Sequence, residues 1–156
     1  MSLEKVKKYF DEIGLDKKII EFDTRIATVD EAAAAIGCEG ARIAKTMAFY
    51  YEDSCILVVT CGDTKIDNAR FKARFGTKAR MVAYDDVADV VGHVPGGVCP
   101  FAPNDGIKVY LDESLKRFES VFPSCGSINS AAEFTIPELE RYTLYDSWVD
   151  VCKVKE

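Results

Sequence analysis

Three short segments of this 156-residue chain carry residue types that could do chemistry. The first surrounds Lys45, which shares one face of a predicted strand with Ile43, Met47 and Phe49, because side chains alternate along a strand. A lysine in such a row either extends along the strand end into solvent or points into a cavity. In a cavity, its ammonium could hold a phosphate or a developing negative charge. The pattern alone leaves both alternatives open.

The second segment is a glycine- and proline-rich loop at residues 92–100 (GHVPGGVCP). Gly96 and Gly97 would let backbone N–H groups approach a ligand closely and form an oxyanion-binding nest, although such loops also serve as tight connections. The loop matches neither a P-loop nor a dinucleotide-binding fingerprint. His93 is the only histidine in the sequence, which argues against most zinc hydrolase designs.

A cysteine enzyme is one alternative for this loop, because Cys99 lies six residues after His93. Nucleophilic cysteines need an adjacent base that is itself oriented by a third group. No third group is apparent here, so we expect structural or hydrogen-bonding roles for both residues.

The third segment is residues 123–129 (PSCGSIN), where small hydroxyl residues surround Gly126. This composition suits a turn, and such a turn could also contact a ribose or an amino group. Neither Ser124 nor Ser127 lies in a Gly-x-Ser-x-Gly nucleophile elbow.

Composition restricts the partners and the compartment. The formal charge of -6 argues against tight, sequence-independent binding to a phosphate backbone, so we expect no DNA partner. The basic run at residues 65–80 is typical of a solvated helix face, or of a weak contact with an RNA acceptor end. Scattered cysteines without a CxxC pair, no secretory signal and no apolar run of membrane length predict a cytoplasmic protein with reduced thiols and no membrane association.

The predicted elements interleave without a regular βαβ rhythm, which favours a single α+β domain over residues 1–156 with a curved, mixed or mostly antiparallel sheet. Helical spacing and cap residues predict helices at 2–13, 28–36, 67–75, 85–91 and 113–118, and one beginning at Thr135. Asp85 is the predicted cap of the fourth. β-rich runs predict strands at 18–22, 43–51, 55–61, 79–82, 107–111, 120–124, 131–135 and 145–154.

In their order and spacing, the three segments resemble the YbaK/EbsC, or prolyl-tRNA synthetase-associated, family of aminoacyl-tRNA editing domains. The matching stretches are 44–47 (AKTM), 92–101 (GHVPGGVCPF) and 124–126 (SCG), and the resemblance extends from about residue 20 to 139. It implies a mixed sheet wrapped into a partial barrel with surrounding helices. It also implies hydrolysis of the ester in mischarged tRNA, without metal, cofactor or protein nucleophile, and an aminoacyl-tRNA synthetase as a further partner.

The resemblance also implies roles for individual residues. Lys45 is expected to hold the terminal adenosine or its phosphate, and the amides of Gly96 and Gly97 to orient the ester carbonyl. Substrate contacts are expected from the following residues: Thr28, His93, Ser124 and Gly126.

The third segment departs from the family pattern. It reads GSIN at residues 126–129, where many members carry a basic GKRG-like stretch followed by an acidic residue. This difference leaves the amino-acid specificity open. It also keeps alive a second hypothesis, a catalytically weak tRNA- or synthetase-binding module on the same fold.

Overall fold

The structure, a computed structural model, describes residues 2–17, 19–22 and 28–155. The α-helices are α1 (Ser2–Glu12), α2 (Val29–Ile36), α3 (Asn68–Phe75), α4 (Val87–Val91) and α5 (Ile136–Tyr142). The strands are β1 (Ile20–Glu21), β2 (Ile43–Tyr51), β3 (Ser54–Cys61), β4 (Thr64–Ile66), β5 (Lys108–Asp112), β6 (Ser120–Pro123), β7 (Ser130–Ala131), β8 (Phe134–Thr135), β9 (Ser147–Val149) and β10 (Cys152–Val154). Short 3-10 turns occupy Gly40–Arg42, Tyr84–Asp86 and Glu113–Arg117.

The main sheet has the strand order β8-β6-β2-β3-β5-β9 and curls into a half-barrel. Its centre is the antiparallel hairpin of β2 and β3, paired from Ala44↔Cys61 to Tyr51↔Ser54. Strand β6 runs parallel to β2, and both β5 and β9 continue the sheet in parallel. The predicted single α+β domain with a mixed, curled sheet is confirmed. Four of the seven strand pairs among the described residues are antiparallel. Within the main sheet, three strand pairs are parallel and two are antiparallel.

The central strand β3 is almost continuously apolar because both of its faces are buried. On one face, Leu57 and Val59 pack into the main core, which includes the stacked rings of Phe101 and Phe134. On the other face, Val58 and its neighbours pack against the aromatic residues of α3. The β2–β3 hairpin is therefore packed on both faces of β3, and this packing fixes the position of the residues along β2.

The helix starts predicted from cap residues are confirmed at three places. Asp67 accepts hydrogen bonds from the first backbone N–H groups of α3. Thr135 and Glu138 form a complete capping box at α5. Thr28 caps α2 through the backbone N–H of Glu31, but the Glu31 carboxylate bonds to the Thr28 hydroxyl, so the predicted reciprocal bond to the backbone is replaced by a side-chain contact.

Several predicted elements differ in the structure. The helix predicted at 113–118 is a 3-10 turn, and the strand predicted at 131–135 divides into β7 and β8, which belong to different sheets. Lys18, the first residue of the strand predicted at 18–22, lies outside the described residues.

The stretch 79–82 makes a single β-bridge, Phe49↔Met81, and does not form a strand. Asp85 is not a helix cap, because it lies inside a 3-10 turn that precedes α4. The predicted C-terminal strand divides into β9 and β10, which belong to different sheets. Between them, the Val151 N–H donates a hydrogen bond of 3.0 Å to the buried Asp112 carboxylate, so it does not pair with a neighbouring strand.

Candidate functional site

A cavity of about 530 Å³ opens between α2, the β2 strand and three loops. Its volume is in the range of small-molecule binding sites. The loops contribute residues around 81–87, 95–98 and 124–131. All three segments that the sequence singled out therefore reach one cavity.

Small residues on β2 make room for this cavity. Ala44, Thr46 and Ala48 share one face of the strand, since side chains alternate, and each is small where core strands elsewhere carry larger groups. Six consecutive residues from Ile43 to Ala48 line the cavity. Consecutive residues alternate between the two faces, so the cavity meets the edge of β2 as well as its face.

The lining is mostly apolar and carries a single cation. Among the described residues that line it, Lys45 is the only charged one, and no carboxylate is present. Hydroxyl groups supply the remaining polar side chains, at Thr28, Thr46, Tyr84, Ser124, Ser127 and Ser130. A charge in such surroundings is screened weakly and acts strongly on a bound group.

Lys45 is half-buried, and its ammonium donates a hydrogen bond to the backbone carbonyl of Thr64. Burial lowers the pKa of Lys45 below its ordinary value, and the nearby charge of Lys155 lowers this pKa further. The bond to Thr64 holds the ammonium against β4 and not free in solvent. Lys45 is one of the residues that line the cavity, whereas Thr64 is not.

The two glycines of the loop lie in different places. Gly96 lines the cavity with a left-handed backbone, φ +84°. Gly97 is buried behind it, and its N–H already donates to the Val94 carbonyl at 2.9 Å. A Cβ at Gly97 would lie 2.8 Å from the Gly126 carbonyl, so close packing explains this glycine. The expectation that the Gly97 amide faces the substrate does not match this placement.

His93 also lies behind the cavity, fully buried under α1. Its Nε2 is 2.7 Å from the Phe101 carbonyl, which can only accept, so Nε2 carries the proton. Nδ1 is then free to accept from the Ser2 hydroxyl at 2.5 Å. The neutral ring thus connects the N-terminal helix to the loop, and His93 does not contact the cavity as expected.

Burial lowers the pKa of His93, and the nearby charge of Lys5 lowers it further, which predicts a pH-dependent stability. A histidine whose folded pKa is depressed stabilises the fold fully above about pH 6.5, and this contribution is lost as pH falls below that value. We expect the free energy of unfolding to fall more steeply between pH 7.5 and 5.5 in the wild type than in His93→Gln. Urea titrations at both pH values measure this difference. Equal slopes for the two proteins would contradict it.

The cysteine-enzyme alternative fails on the state of the thiol. Cys99 Sγ lies 3.6 Å from His93 Nε2, but that nitrogen holds a proton already shared with Phe101. Burial raises the pKa of Cys99 to about 12, whereas nucleophilic cysteines need a lowered pKa and access to substrate. The structure thus gives Cys99 a packing role.

Of the remaining predicted substrate contacts, Ser124 and Thr28 line the cavity and Gly126 does not. Ser124 lines the cavity and donates to the Ser127 carbonyl at 3.2 Å. Thr28 lines it too, at the start of α2. Gly126 does not, because it is buried against α1, and a Cβ there would lie 2.6 Å from the Ser2 carbonyl oxygen. The structure therefore brings together Lys45, Gly96, Ser124 and Thr28.

The described residues hold neither a metal-binding cluster nor a membrane-spanning helix. Within residues 2–17, 19–22 and 28–155 no cluster of histidine, cysteine and carboxylate side chains could hold a metal ion. In the same part of the chain, no helix has the length and apolar character needed to cross a membrane.

Comparison with known proteins identifies the family. The aminoacyl-tRNA editing domain model matches residues 23–142, so the chain belongs to that family. The uncharacterized protein YwhH of Bacillus subtilis (strain 168) is 47% identical over 154 residues, which cover 98% of each chain.

A solved structure and a longer enzyme extend this comparison. The crystal structure of a candidate trans-editing enzyme for prolyl-tRNA synthetase superposes with a TM-score of 0.88 at 26% identity, over 97% of both chains. The proline–tRNA ligase of Shouchella clausii (strain KSM-K16) is 28% identical over 101 residues, which are 64% of this chain but only 17% of the ligase. The chain therefore corresponds to a small part of that enzyme.

Proposed function

We propose that this protein is a trans-editing deacylase that hydrolyses the ester of mischarged tRNA in the cavity beside β2. The observation that carries the proposal is that Lys45 is the only charged residue among the described residues lining a largely apolar cavity, in a chain of the editing-domain family. A cavity of about 530 Å³ has room for an aminoacyl group together with part of the terminal nucleoside.

The proposed reaction needs a bound water but no protein nucleophile. The water oxygen attacks the acyl carbon, the C–O bond to the ribose breaks, and the ribose oxygen leaves with a proton as a hydroxyl group. Lys45 holds the terminal phosphate or adenosine and stabilises the negative charge that develops during attack. Gly96 and Ser124 position the ester, and no metal takes part.

The chain is proposed to bind tRNA weakly, because its 26 acidic residues outnumber its 20 Lys and Arg residues, and this binding should weaken further with salt, because Lys and Arg contacts with phosphates release counterions. An aminoacyl-tRNA synthetase is the proposed second partner, in keeping with the similar segment inside a proline–tRNA ligase. Such a protein would act in the cytoplasm, where charged tRNA is made.

A screen of purified protein against a panel of mischarged tRNAs tests the proposal, with and without a chelator. We expect hydrolysis of one or a few species at rates that the chelator does not change. Saturable binding of charged tRNA without hydrolysis of any species would reject the deacylase and favour the binding module, which the altered sequence at residues 126–129 keeps as the second candidate.

A further inference from the structure

The edge of β2 that faces the cavity is open in its middle. Pairing with β6 ends at Ala44↔Pro123, and the next contact on this edge is the bridge Phe49↔Met81. Between these points, no backbone group of the described residues pairs with β2 on this side. A strand edge with unpaired N–H and C=O groups is a template for binding another extended group.

The neighbouring hydrogen bonds show which peptide groups face this edge. Val82 N–H donates to the Ala48 carbonyl, and Tyr50 N–H donates to the Arg80 carbonyl, both at 2.9 Å. Along a strand, the peptide groups of every second residue point to the same edge. The N–H and C=O of Thr46, two residues before Ala48, therefore face the open part of the edge.

The side chain of Thr46 gives an independent sign that this position lacks a partner. Its Oγ1 is buried and makes no hydrogen bond to any described residue, the only such side-chain atom among them. Buried polar groups are nearly always paired, and unpaired ones are retained mainly where function uses them. Thr46 is itself only half-buried and lines the cavity, so a bound group can contact the residue, whereas contact with the covered Oγ1 requires the side chain to turn.

The charges around the cavity restrict what can bind the amino group of a substrate. No described residue in the lining carries a carboxylate, and Lys45 would repel a positive charge that came close to its ammonium. An α-amino group must then be held by neutral oxygen atoms. Among residues 2–17, 19–22 and 28–155, none pairs with the carbonyl of Thr46 at the strand edge or with its N–H.

We propose that the open edge of β2 at Thr46 binds the aminoacyl group as a one-residue β-strand partner. The Thr46 N–H donates to the ester carbonyl, and the Thr46 carbonyl accepts from the α-amino group of the same aminoacyl residue. This is the pairing that two opposed residues make in a hydrogen-bonded antiparallel pair. The inference rests on the proposed deacylase function and adds a positioning residue to it.

This arrangement makes the free α-amino group a recognition element. The N–H donor polarises the carbonyl that water attacks, and the carbonyl acceptor fixes the orientation of the acyl group. An α-hydroxyacyl ester provides a weaker donor without the charge, and an N-acetylated ester also lacks the charge. The hydroxyl of Thr46 gains its missing partner from the bound aminoacyl group when its side chain turns toward it.

The substrate test compares two esters that differ only in this group. Wild-type protein is given tRNA carrying an amino acid that it hydrolyses, and the same tRNA carrying the matching α-hydroxy acid. After subtraction of the uncatalysed rates, we expect hydrolysis of the aminoacyl ester to be faster by about tenfold or more, the scale at which one hydrogen bond to a charged group acts. Equal rates on the two esters would overturn the proposal, whereas no hydrolysis of either would reject the deacylase function itself.

The protein test uses Thr46→Val, which removes the hydroxyl and keeps the shape. We expect a deacylation rate lower by about fivefold or more, together with an unchanged or higher melting temperature, because an unpaired buried hydroxyl is lost. A purely structural role would instead lower the melting temperature. Thr60→Val is the matched control, since Thr60 is a fully buried strand threonine that does not line the cavity. A folded Thr46→Val variant as fast as wild type would overturn the contact proposed for the hydroxyl, whereas equal rates on the two esters would overturn the two backbone bonds.

Discussion

Replacing Lys45 by alanine should lower the rate of ester hydrolysis by about two to three orders of magnitude, the effect of removing one group that stabilises a developing charge in a site shielded from water. Lys45 is the only charged residue among the described residues of the lining, so no neighbouring side chain there can take over its charge. The fold should survive, because Lys45 is only half-buried and its one hydrogen bond goes to the Thr64 carbonyl. Single-turnover hydrolysis of a mischarged tRNA measures the effect.

Lys65→Ala is the matched control for this variant. Lys65 is exposed on β4, directly after Thr64, and it does not line the cavity. Its removal changes the net charge by the same amount, so a general loss of attraction for tRNA would slow both variants alike. We expect Lys65→Ala to retain most of its activity. Normal turnover by Lys45→Ala would contradict the proposal that Lys45 stabilises the developing negative charge.

The second large effect is on stability and concerns Gly126. The residue has φ +97°, and a Cβ there would lie 2.6 Å from the Ser2 carbonyl oxygen and 3.0 Å from Val6 Cγ2. Gly126→Ala must therefore push α1 away from the core and weaken the contact between Ser2 and His93. We expect a loss of about 2–4 kcal/mol in the free energy of unfolding, from overpacking together with an unfavourable backbone angle.

Gly106→Ala separates the two causes. Gly106 also has a positive φ, +87°, but nothing lies within 4 Å of a Cβ added there. This variant carries the backbone strain without the clash, and we expect it to cost about 1 kcal/mol. Urea denaturation of both variants gives the comparison. Equal losses of unfolding free energy in the two variants would show that α1 does not pack on Gly126 as described. Gly126 would then again be a candidate substrate contact.

The elements that could be predicted from the sequence are those with local signals. The β2–β3 hairpin follows from two apolar runs around a polar turn, and the starts of α3 and α5 follow from Asp67 and Thr135, whose side chains bond to the next turn of backbone. The division between β9 and β10 could not be predicted. It depends on a hydrogen bond from Val151 to Asp112, 39 residues earlier in the chain.

The same distinction applies to the site. Alternation along β2 placed Lys45 on a face with apolar residues, but only the tertiary contact with Thr64 decides where the ammonium lies. His93 and Gly126 were expected beside the substrate, and both lie under α1 instead. Ser2 contacts His93 and Gly126, which are about 90 and 124 positions later in the chain, and a local sequence pattern does not indicate such contacts.

Thr46 had a weak signal that sequence reasoning did not use. It lies between Ala44 and Ala48 on one strand face, and a row of small residues there leaves space beside the strand. Small residues also occur in ordinary packed strands, where a larger neighbour fills the gap. Only the open edge between Ala44 and Phe49 distinguishes the two cases, and it depends on where β6 and the Met81 segment end.

The most direct test of the central claim, that the cavity beside β2 is where the ester is hydrolysed, fills this cavity and measures the deacylation rate. Ala32 lines the cavity from α2, whereas Ala35 is exposed on the same helix and does not. Ala32→Phe should slow hydrolysis by about a hundredfold or more, because it displaces the bound ester. Ala35→Phe should remain within about twofold of wild type, as surface changes usually do. A folded Ala32→Phe variant with the wild-type rate would contradict the account.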